Sequence, residues 1–211
     1  MAGIVIRRLG HNVQVLEQYP SDIRQEVGAG ITAGPFAQDF FSKYDLVKEP
    51  YSIPSPGFQI LDKELNVKRA RKQPMQMSTW NVLHYRLRAN FDGFKSEFCE
   101  SPILPASQGE GSVKAGAKVT NLVEKDGKVL VEYQDILDGG KEHIVKCDLV
   151  IAADGASSTI RQKLLPGIQR TYSGYLGWRG YVDEKELSEN TKALLDPKVT
   201  AFDYKDGYAI G

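Results

Sequence analysis

Asp154 and Gly155 stand where an apolar run gives way to small polar residues. Residues 149–153, LVIAA, are a continuous apolar run of strand length, typical of a strand buried on both faces of a parallel sheet. Because α/β sheets bind ligands beyond the carboxyl ends of their strands, Asp154 is a candidate site residue. Gly155 allows a sharp turn, and the helix predicted after it would offer unpaired N–H groups to a phosphate. A β–α turn that binds nothing has the same local sequence, so both interpretations stand.

Glu17 is a second candidate, because it follows a strand predicted at residues 12–16. A helix predicted at residues 2–9 precedes this strand and ends at Gly10, a common helix stop. Rossmann-type folds place an acidic side chain at this strand end, where it accepts hydrogen bonds from an adenosine ribose. Acidic residues also end many strands that bind nothing. The ribose role is therefore one of two interpretations of Glu17.

Two further segments carry residue types suited to binding. Gly28 and Gly30 lie so close together that they indicate backbone packed against a bulky group, although a packing turn also explains them. Residues 79–91 carry apolar side chains at helical spacing and predict an amphipathic helix. Its basic residues are Arg86 and Arg88.

The composition excludes several function classes. The 211 residues are 41% hydrophobic and 26% charged, which indicates a globular protein. The 27 basic and 27 acidic side chains cancel, so no nucleic-acid or membrane partner is expected. Two cysteines and three scattered histidines have no spacing that predicts a disulfide framework or a metal site. The apolar stretch at the N-terminus is too short for a signal peptide or a membrane span, so we expect a soluble cytoplasmic protein.

The later part of the chain predicts antiparallel strands. Two alternating runs joined by an Asp-Gly turn predict a hairpin over residues 118–133, and a third strand near residues 143–145 completes a meander. A mainly β region is expected from about residue 170, with an aromatic strand at 172–182 and a terminal hairpin-like segment without partner strands.

Five segments in order resemble the flavoprotein aromatic hydroxylases, the class A FAD-dependent monooxygenases. The segment CDLVIAADGASSTIRQKL resembles the family's second fingerprint, in which a strand leads to Asp-Gly, small residues, Ser and a further Arg. The other four are RRLGHNVQVLEQ, GAGI, TWNVLHYRLRANFDG and GAKVTNLVEKDGKVLVEYQD. Together with GYLGWRGYV, they resemble the 2,6-dihydroxypyridine and salicylate hydroxylase type.

The resemblance implies an α/β fold with a Rossmann-like FAD-binding sheet of the GR2 type, an antiparallel β-meander and part of a mainly β substrate domain. It divides the chain into an FAD-binding domain at residues 1–168 and the start of a substrate domain at 169–211. The family's first strand with its G-x-G-x-x-G loop would precede Met1, and its Gly-Asp motif would follow Gly211. We therefore expect a chain truncated at both ends relative to the family.

The same resemblance assigns the cofactor contacts. Glu17 would contact the adenosine ribose of FAD, and Gly30 would lie against the flavin or its ribityl chain. Arg86 would reach the FAD from its helix, or else be a surface arginine. Val119 would pass near the adenine by its backbone.

The remaining roles concern the fingerprint turn and the substrate region. Asp154 and Gly155 would serve both FAD and the pyridine nucleotide, and Arg161 would brace their turn. Arg179 and Tyr181 are alternate residues of the aromatic strand and share a face, which points either into a catalytic pocket or to solvent.

The implied reaction needs no nucleophile or metal from the protein. NAD(P)H would reduce FAD, O2 would add to form a flavin C4a-hydroperoxide, and one oxygen would pass to a small aromatic or heteroaromatic substrate. A homodimer is compatible with this family. The alternatives are a non-catalytic truncated product that does not bind FAD, and another FAD- and NAD(P)-dependent oxidoreductase on the same scaffold.

Overall fold

The computed structural model describes residues 1–23, 30–177, 180, 182–195, 198–204 and 207–210. Five α-helices lie in these residues: α1 Ala2–Arg8, α2 Pro35–Tyr44, α3 Trp80–Asp92, α4 Thr159–Leu164 and α5 Glu189–Leu195. The strands there are β1 Val13–Glu17, β2 Gly30–Thr32, β3 Ile53–Ser55, β4 Phe58–Leu61, β5 Val67–Arg71, β6 Met75–Thr79, β7 Gly111–Ala115, β8 Ala117–Lys125, β9 Lys128–Asp135, β10 Lys141–Cys147, β11 Val199–Tyr204 and β12 Gly207–Ile210. The mixed α/β architecture confirms the predicted fold class.

The chain forms two compact units. Unit 1 comprises Met1–Leu9, Glu26–Gln108 and Trp178–Gly211, and unit 2 comprises Gly10–Gln25 and Gly109–Gly177. The predicted boundary between residues 168 and 169 stays a prediction, but strands from both sides of it pair in one sheet of unit 1. None of the helices in the described residues is long and apolar enough to cross a membrane.

Unit 2 is built on two sheets. Strands β1 and β7 pair in parallel, and β8, β9 and β10 form the predicted antiparallel meander. Asp126 and Gly127 have φ angles of 52° and 66°, so both adopt the left-handed conformation that a two-residue hairpin turn needs.

Residues 149–153 of unit 2 differ from the prediction, because they form no strand. Leu149 is 70% exposed and Ile151 is 54% exposed, so the expected burial on both faces is also wrong. A strand requires a neighbour for its backbone groups, and no strand in the described part of the chain pairs with this segment.

The described residues of unit 1 form two sheets, with strand orders β2-β6-β3 and β12-β11-β4-β5. The terminal hairpin therefore has a partner, because β11 pairs in parallel with β4. The expectation that it lacks partner strands is wrong, since β4 lies far away in sequence. The aromatic strand predicted at 172–182 is also wrong over residues 172–177, which form no strand.

Helix α3 packs into the core of unit 1. The Oγ1 of Thr79 accepts the N–H of Val82 at 3.3 Å and caps the helix, which ends at Gly93 in the left-handed conformation. Ala89 is fully buried against Val47 and Cys99. The capped start of this helix directly follows β6, which fixes its position beside Gly30 on β2.

Candidate functional site

Glu17 lies at the carboxyl end of β1, where the sequence predicted it. Its Oε1 accepts the N–H of Tyr19 at 2.8 Å, which fixes the direction of the half-buried carboxylate. The neighbouring position on β7 is Ala115, and the N–H of Gly116 donates to the carbonyl of Tyr19 at 2.9 Å. The acidic group thus stands at the end of a parallel strand pair, where α/β proteins bind ligands.

Val119 lies on β8, the edge strand of the meander. The ladder with β9 shifts register between Val119 and Asn121, so Thr120 forms a bulge. The Oγ1 of Thr120 donates to the carbonyl of Glu132 at 3.2 Å. A bulge exposes main-chain polar groups, which suits a residue expected to act through its backbone.

The turn at Asp154 and Gly155 leads into α4. Gly155 has a φ of 78°, which explains why glycine is needed at this position. Burial opposes ionisation of Asp154, but hydrogen bonds from Ser158 and from the N–H of Ile160 outweigh it and lower its pKa. The carboxylate is thus held ionised at neutral pH at the start of a helix.

Arg161 braces this turn, as predicted. Its Nη1 donates to the carbonyl of Gly155 at 3.3 Å, and its Nη2 donates to the carbonyl of Ala156. Ser158 caps the start of α4, because its Oγ accepts the N–H of Arg161 at 2.9 Å. Lys163 on the same helix donates to Asn121 Oδ1 at 2.8 Å, so the turn and the bulged strand belong to one part of unit 2.

Gly30 lies in unit 1 on β2, opposite Thr79 of β6. A Cβ added at Gly30 would meet no atom within 4 Å, so the space beside its backbone is open. A flat group can approach the main chain there, which fits the role that the resemblance assigns to Gly30. Gly28 lies outside the described residues.

Arg86 is buried in unit 1, at 3% exposure. Its Nε donates to Asp45 Oδ2 at 2.5 Å and its Nη2 donates to the carbonyl of Val47 at 2.8 Å. Its guanidinium also lies 5.4 Å from the ring centroid of Tyr51. The alternative that Arg86 is a surface residue is therefore wrong, while its contact with FAD stays a prediction.

Sequence reasoning missed the two polar residues that hold Arg86. Asn90 Nδ2 donates to Asp45 Oδ1 at 2.8 Å, and Asn90 Oδ1 accepts the N–H of Leu46 at 2.8 Å. Asn90 follows Arg86 by one helical turn, a spacing that puts both on one face and could have indicated a shared partner. Asp45 could not be found this way because it lies 41 residues from Arg86.

The candidate catalytic pair, Arg179 and Tyr181, lies outside the described residues. No group of three or more His, Cys, Asp or Glu side chains in the described ranges could hold a metal ion. Of the predicted cofactor residues, Glu17, Val119, Asp154 and Gly155 belong to unit 2, and Gly30 and Arg86 belong to unit 1.

Comparisons with known proteins identify the fold and several related proteins. A family model described as FAD binding domain-like matches residues 172–211. The chain is 25% identical to 2,6-dihydroxypyridine 3-monooxygenase of Paenarthrobacter nicotinovorans over 99% of this chain and 47% of that protein. It is 36% identical to salicylate hydroxylase of Pseudomonas putida, over 40% of this chain and 19% of the relative. The structure of 2,6-dihydroxypyridine-3-hydroxylase from Arthrobacter nicotinovorans matches with a TM-score of 0.76 and 21% identity, over 99% of this chain and 47% of that chain.

The fold is thus that of the FAD-dependent monooxygenases. By sequence, the chain is similar to 2,6-dihydroxypyridine 3-monooxygenase and salicylate hydroxylase, and its last 40 residues match the FAD binding domain-like family model. It spans about half the length of the curated relative that it matches over nearly its whole length.

Proposed function

We propose that this chain contributes the FAD-binding part and some of the substrate region of an aromatic or heteroaromatic ring hydroxylase. The observation that carries the proposal is the match to a 2,6-dihydroxypyridine monooxygenase along 99% of the chain. The open backbone at Gly30 supports it, because a side chain there would fill the space that a flavin needs. When bound, FAD would take electrons from NAD(P)H and activate O2 for transfer of one oxygen atom to the ring.

The protein's own residues would bind and orient the reactants. The Glu17 carboxylate would accept hydrogen bonds from the ribose hydroxyls, since it already stands at the end of a parallel strand. Val119 would present its backbone to the adenine. Asp154 and Gly155 would hold the nucleotide through the turn that Arg161 braces.

Arg86 would reach the FAD from α3. Its bonds to Asp45 and Val47 fix this helix, which begins beside Gly30. Arg179 and Tyr181 would face the substrate.

Binding of FAD by the 211-residue chain tests the proposal. We expect titration with the chain to quench flavin fluorescence and Glu17→Gln to weaken binding about tenfold, the effect of losing a charged hydrogen-bond acceptor. Glu124→Gln is the matched control, because it removes the same charge from an exposed position on β8.

Equal affinities of the two variants would refute the role of Glu17. A chain that binds no FAD would favour the non-catalytic alternative. Oxidation of NAD(P)H by the FAD-loaded chain, dependent on 2,6-dihydroxypyridine or salicylate, then distinguishes a hydroxylase from another oxidoreductase.

A further inference from the structure

Strand β10 forms an open edge of unit 2. The meander has the strand order β10-β9-β8, and in the described part of the chain no strand pairs with the outer side of β10. An edge strand presents unpaired N–H and C=O groups, which can bond to another chain. β10 keeps its register with β9 over all seven of its residues, and it contains no proline. Its edge is therefore long and regular enough to pair with a further strand.

The exposed face of β10 carries one apolar residue between two opposite charges. Glu142, Ile144 and Lys146 alternate along the strand and so share a face. All three are exposed, and Ile144 is 64% exposed. Among the described residues neither Glu142 nor Lys146 forms an ion pair, whereas the neighbouring Lys141 pairs with Asp138. The face thus combines an apolar centre with two charges that no ion pair within the described residues neutralises.

This order of residues is complementary to itself in an antiparallel pairing. When two copies of β10 align about a two-fold axis at Ile144, the two Ile144 side chains meet at the centre. Glu142 then lies opposite the partner's Lys146, and Lys146 lies opposite the partner's Glu142. Directly opposed side chains interact across such a ladder, so the opposite charges stabilise it.

The same three residues select one register. Moving the register by two residues in either direction would place Ile144 opposite the partner's Glu142 or the partner's Lys146. Each shifted register would lose the contact between the two isoleucines and both attractive charge pairs. The free edge and its side chains therefore specify the same symmetric arrangement.

We propose that β10 is an interaction surface for a second copy of this chain, paired antiparallel with Ile144 on the two-fold axis. The two meanders then form one continuous sheet, in which the outer backbone groups of the two strands bond to each other. The inference goes beyond the proposed function, because it uses no residue assigned to FAD or to the substrate.

The competing explanation is that the lysines of β10 only protect its edge. Natural proteins place lysines on edge strands to prevent pairing with other chains. That explanation predicts a monomer, in which Lys146→Glu promotes association by removing a protecting charge. The proposed pairing predicts the opposite, because Lys146→Glu would place carboxylates opposite each other.

Sedimentation equilibrium of the 211-residue chain tests the proposal through an exchange of charges. We expect a reversible dimer at protein concentrations up to about 1 mM, the range in which weak protein pairs form. Glu142→Lys and Lys146→Glu should each raise the dimer dissociation constant about tenfold, because each turns both attractive pairs into like-charge pairs. Glu142→Lys/Lys146→Glu restores the attraction and should return the constant to within about twofold of the parent value. The matched control Glu124→Lys makes the same charge change at an exposed position on β8 and should leave the constant unchanged.

Disulfide formation tests the register separately. Ile144→Cys should crosslink two copies under mild oxidation, because residues opposite each other in an antiparallel pair have Cα atoms within disulfide distance. Glu142→Cys should not crosslink, because four residues of strand, about 14 Å, separate it from its own counterpart. The parent chain should not crosslink either, because its Cys147 would lie opposite the partner's Lys141.

A monomeric parent chain, or a dimer whose dissociation constant the charge variants leave unchanged, would overturn the proposal. So would equal crosslinking of Ile144→Cys and Glu142→Cys, which would indicate association through another surface. The substituted side chains are exposed, and circular dichroism checks that the variants fold. If a charge variant does not fold, the comparison of the two cysteine variants decides.

Discussion

Removal of the Asp45 carboxylate should destabilise unit 1 more than removal of any exposed acid. The carboxylate accepts bonds from Arg86 Nε at 2.5 Å, Asn90 Nδ2 at 2.8 Å and the N–H of Val47 at 3.0 Å. The side chains of Arg86 and Asp45 are only 4% and 7% exposed. Asp45→Ala would therefore leave a guanidinium charge buried without its counterion.

The expected loss follows from this burial. Breaking a buried ion pair by removing one partner lowers the free energy of unfolding by about 3–5 kcal/mol. With a denaturant slope of about 2 kcal/mol per molar urea, the midpoint of unfolding should fall by roughly 2 M. Urea titration followed by circular dichroism measures this shift.

Asp39 on α2 provides the matched control. Its carboxylate also pairs with a cation, Lys43, at 2.8 Å, but these side chains are 60% and 59% exposed. Asp39→Ala should change the free energy of unfolding by about 0.5 kcal/mol or less, because water screens an exposed pair. Adding Arg86→Met to Asp45→Ala should recover part of the loss, since it removes the unpaired charge. Equal midpoints for Asp45→Ala and Asp39→Ala would refute the reasoning.

Three other outcomes are expected. Gly30→Ala should leave the thermal midpoint of unfolding unchanged, because the added Cβ meets no atom within 4 Å. It should weaken FAD binding measured by fluorescence titration, and unchanged FAD affinity would contradict the role of Gly30. A hydrogen bond from Lys114 lowers the pKa of Asp135 below its ordinary 3.8, and the same contact raises the pKa of Lys114 above its ordinary 10.5. The pair therefore stabilises the fold between these values, and its contribution is lost as the pH falls through the folded pKa of Asp135 or rises through that of Lys114. Asp135→Asn should flatten the acid side of a plot of urea midpoint against pH, and an unaltered plot would exclude the contribution. Leu149→Ser/Ile151→Ser should reduce aggregation measured by light scattering, since both side chains are exposed; equal scattering would show that another surface drives association.

The elements that the sequence predicts correctly are specified by residues within them or next to them. Helix α1 ends at Arg8, two residues before Gly10 with its φ of 90°, and the side chain of Thr79 caps the start of α3. The meander follows from an Asp-Gly turn between two alternating runs. In each case the deciding residues lie within a few positions of the element, so no knowledge of the tertiary structure is needed.

In the candidate site, too, the sequence predicts the local features and not the contacts between distant residues. Glu17 and Gly155 were located because a strand end and a sharp turn are local features. The burial of Arg86 was not predicted, because its partner Asp45 belongs to another element. A helical pattern shows which residues share a face, but it does not show whether a neighbouring element places a carboxylate against that face.

Strand formation shows the same limit more sharply. Residues 149–153 are all apolar, yet they form no strand, while β1 forms one although Gln14 and Val15 are exposed. The difference is that β7 offers β1 five registered partners, from Gly111 to Ala115. Preference for a strand depends on cross-strand contacts more than on the residue itself. The apolar content of a segment therefore indicates how much free energy the segment gains when it pairs. A strand forms only where another strand is available to pair with it.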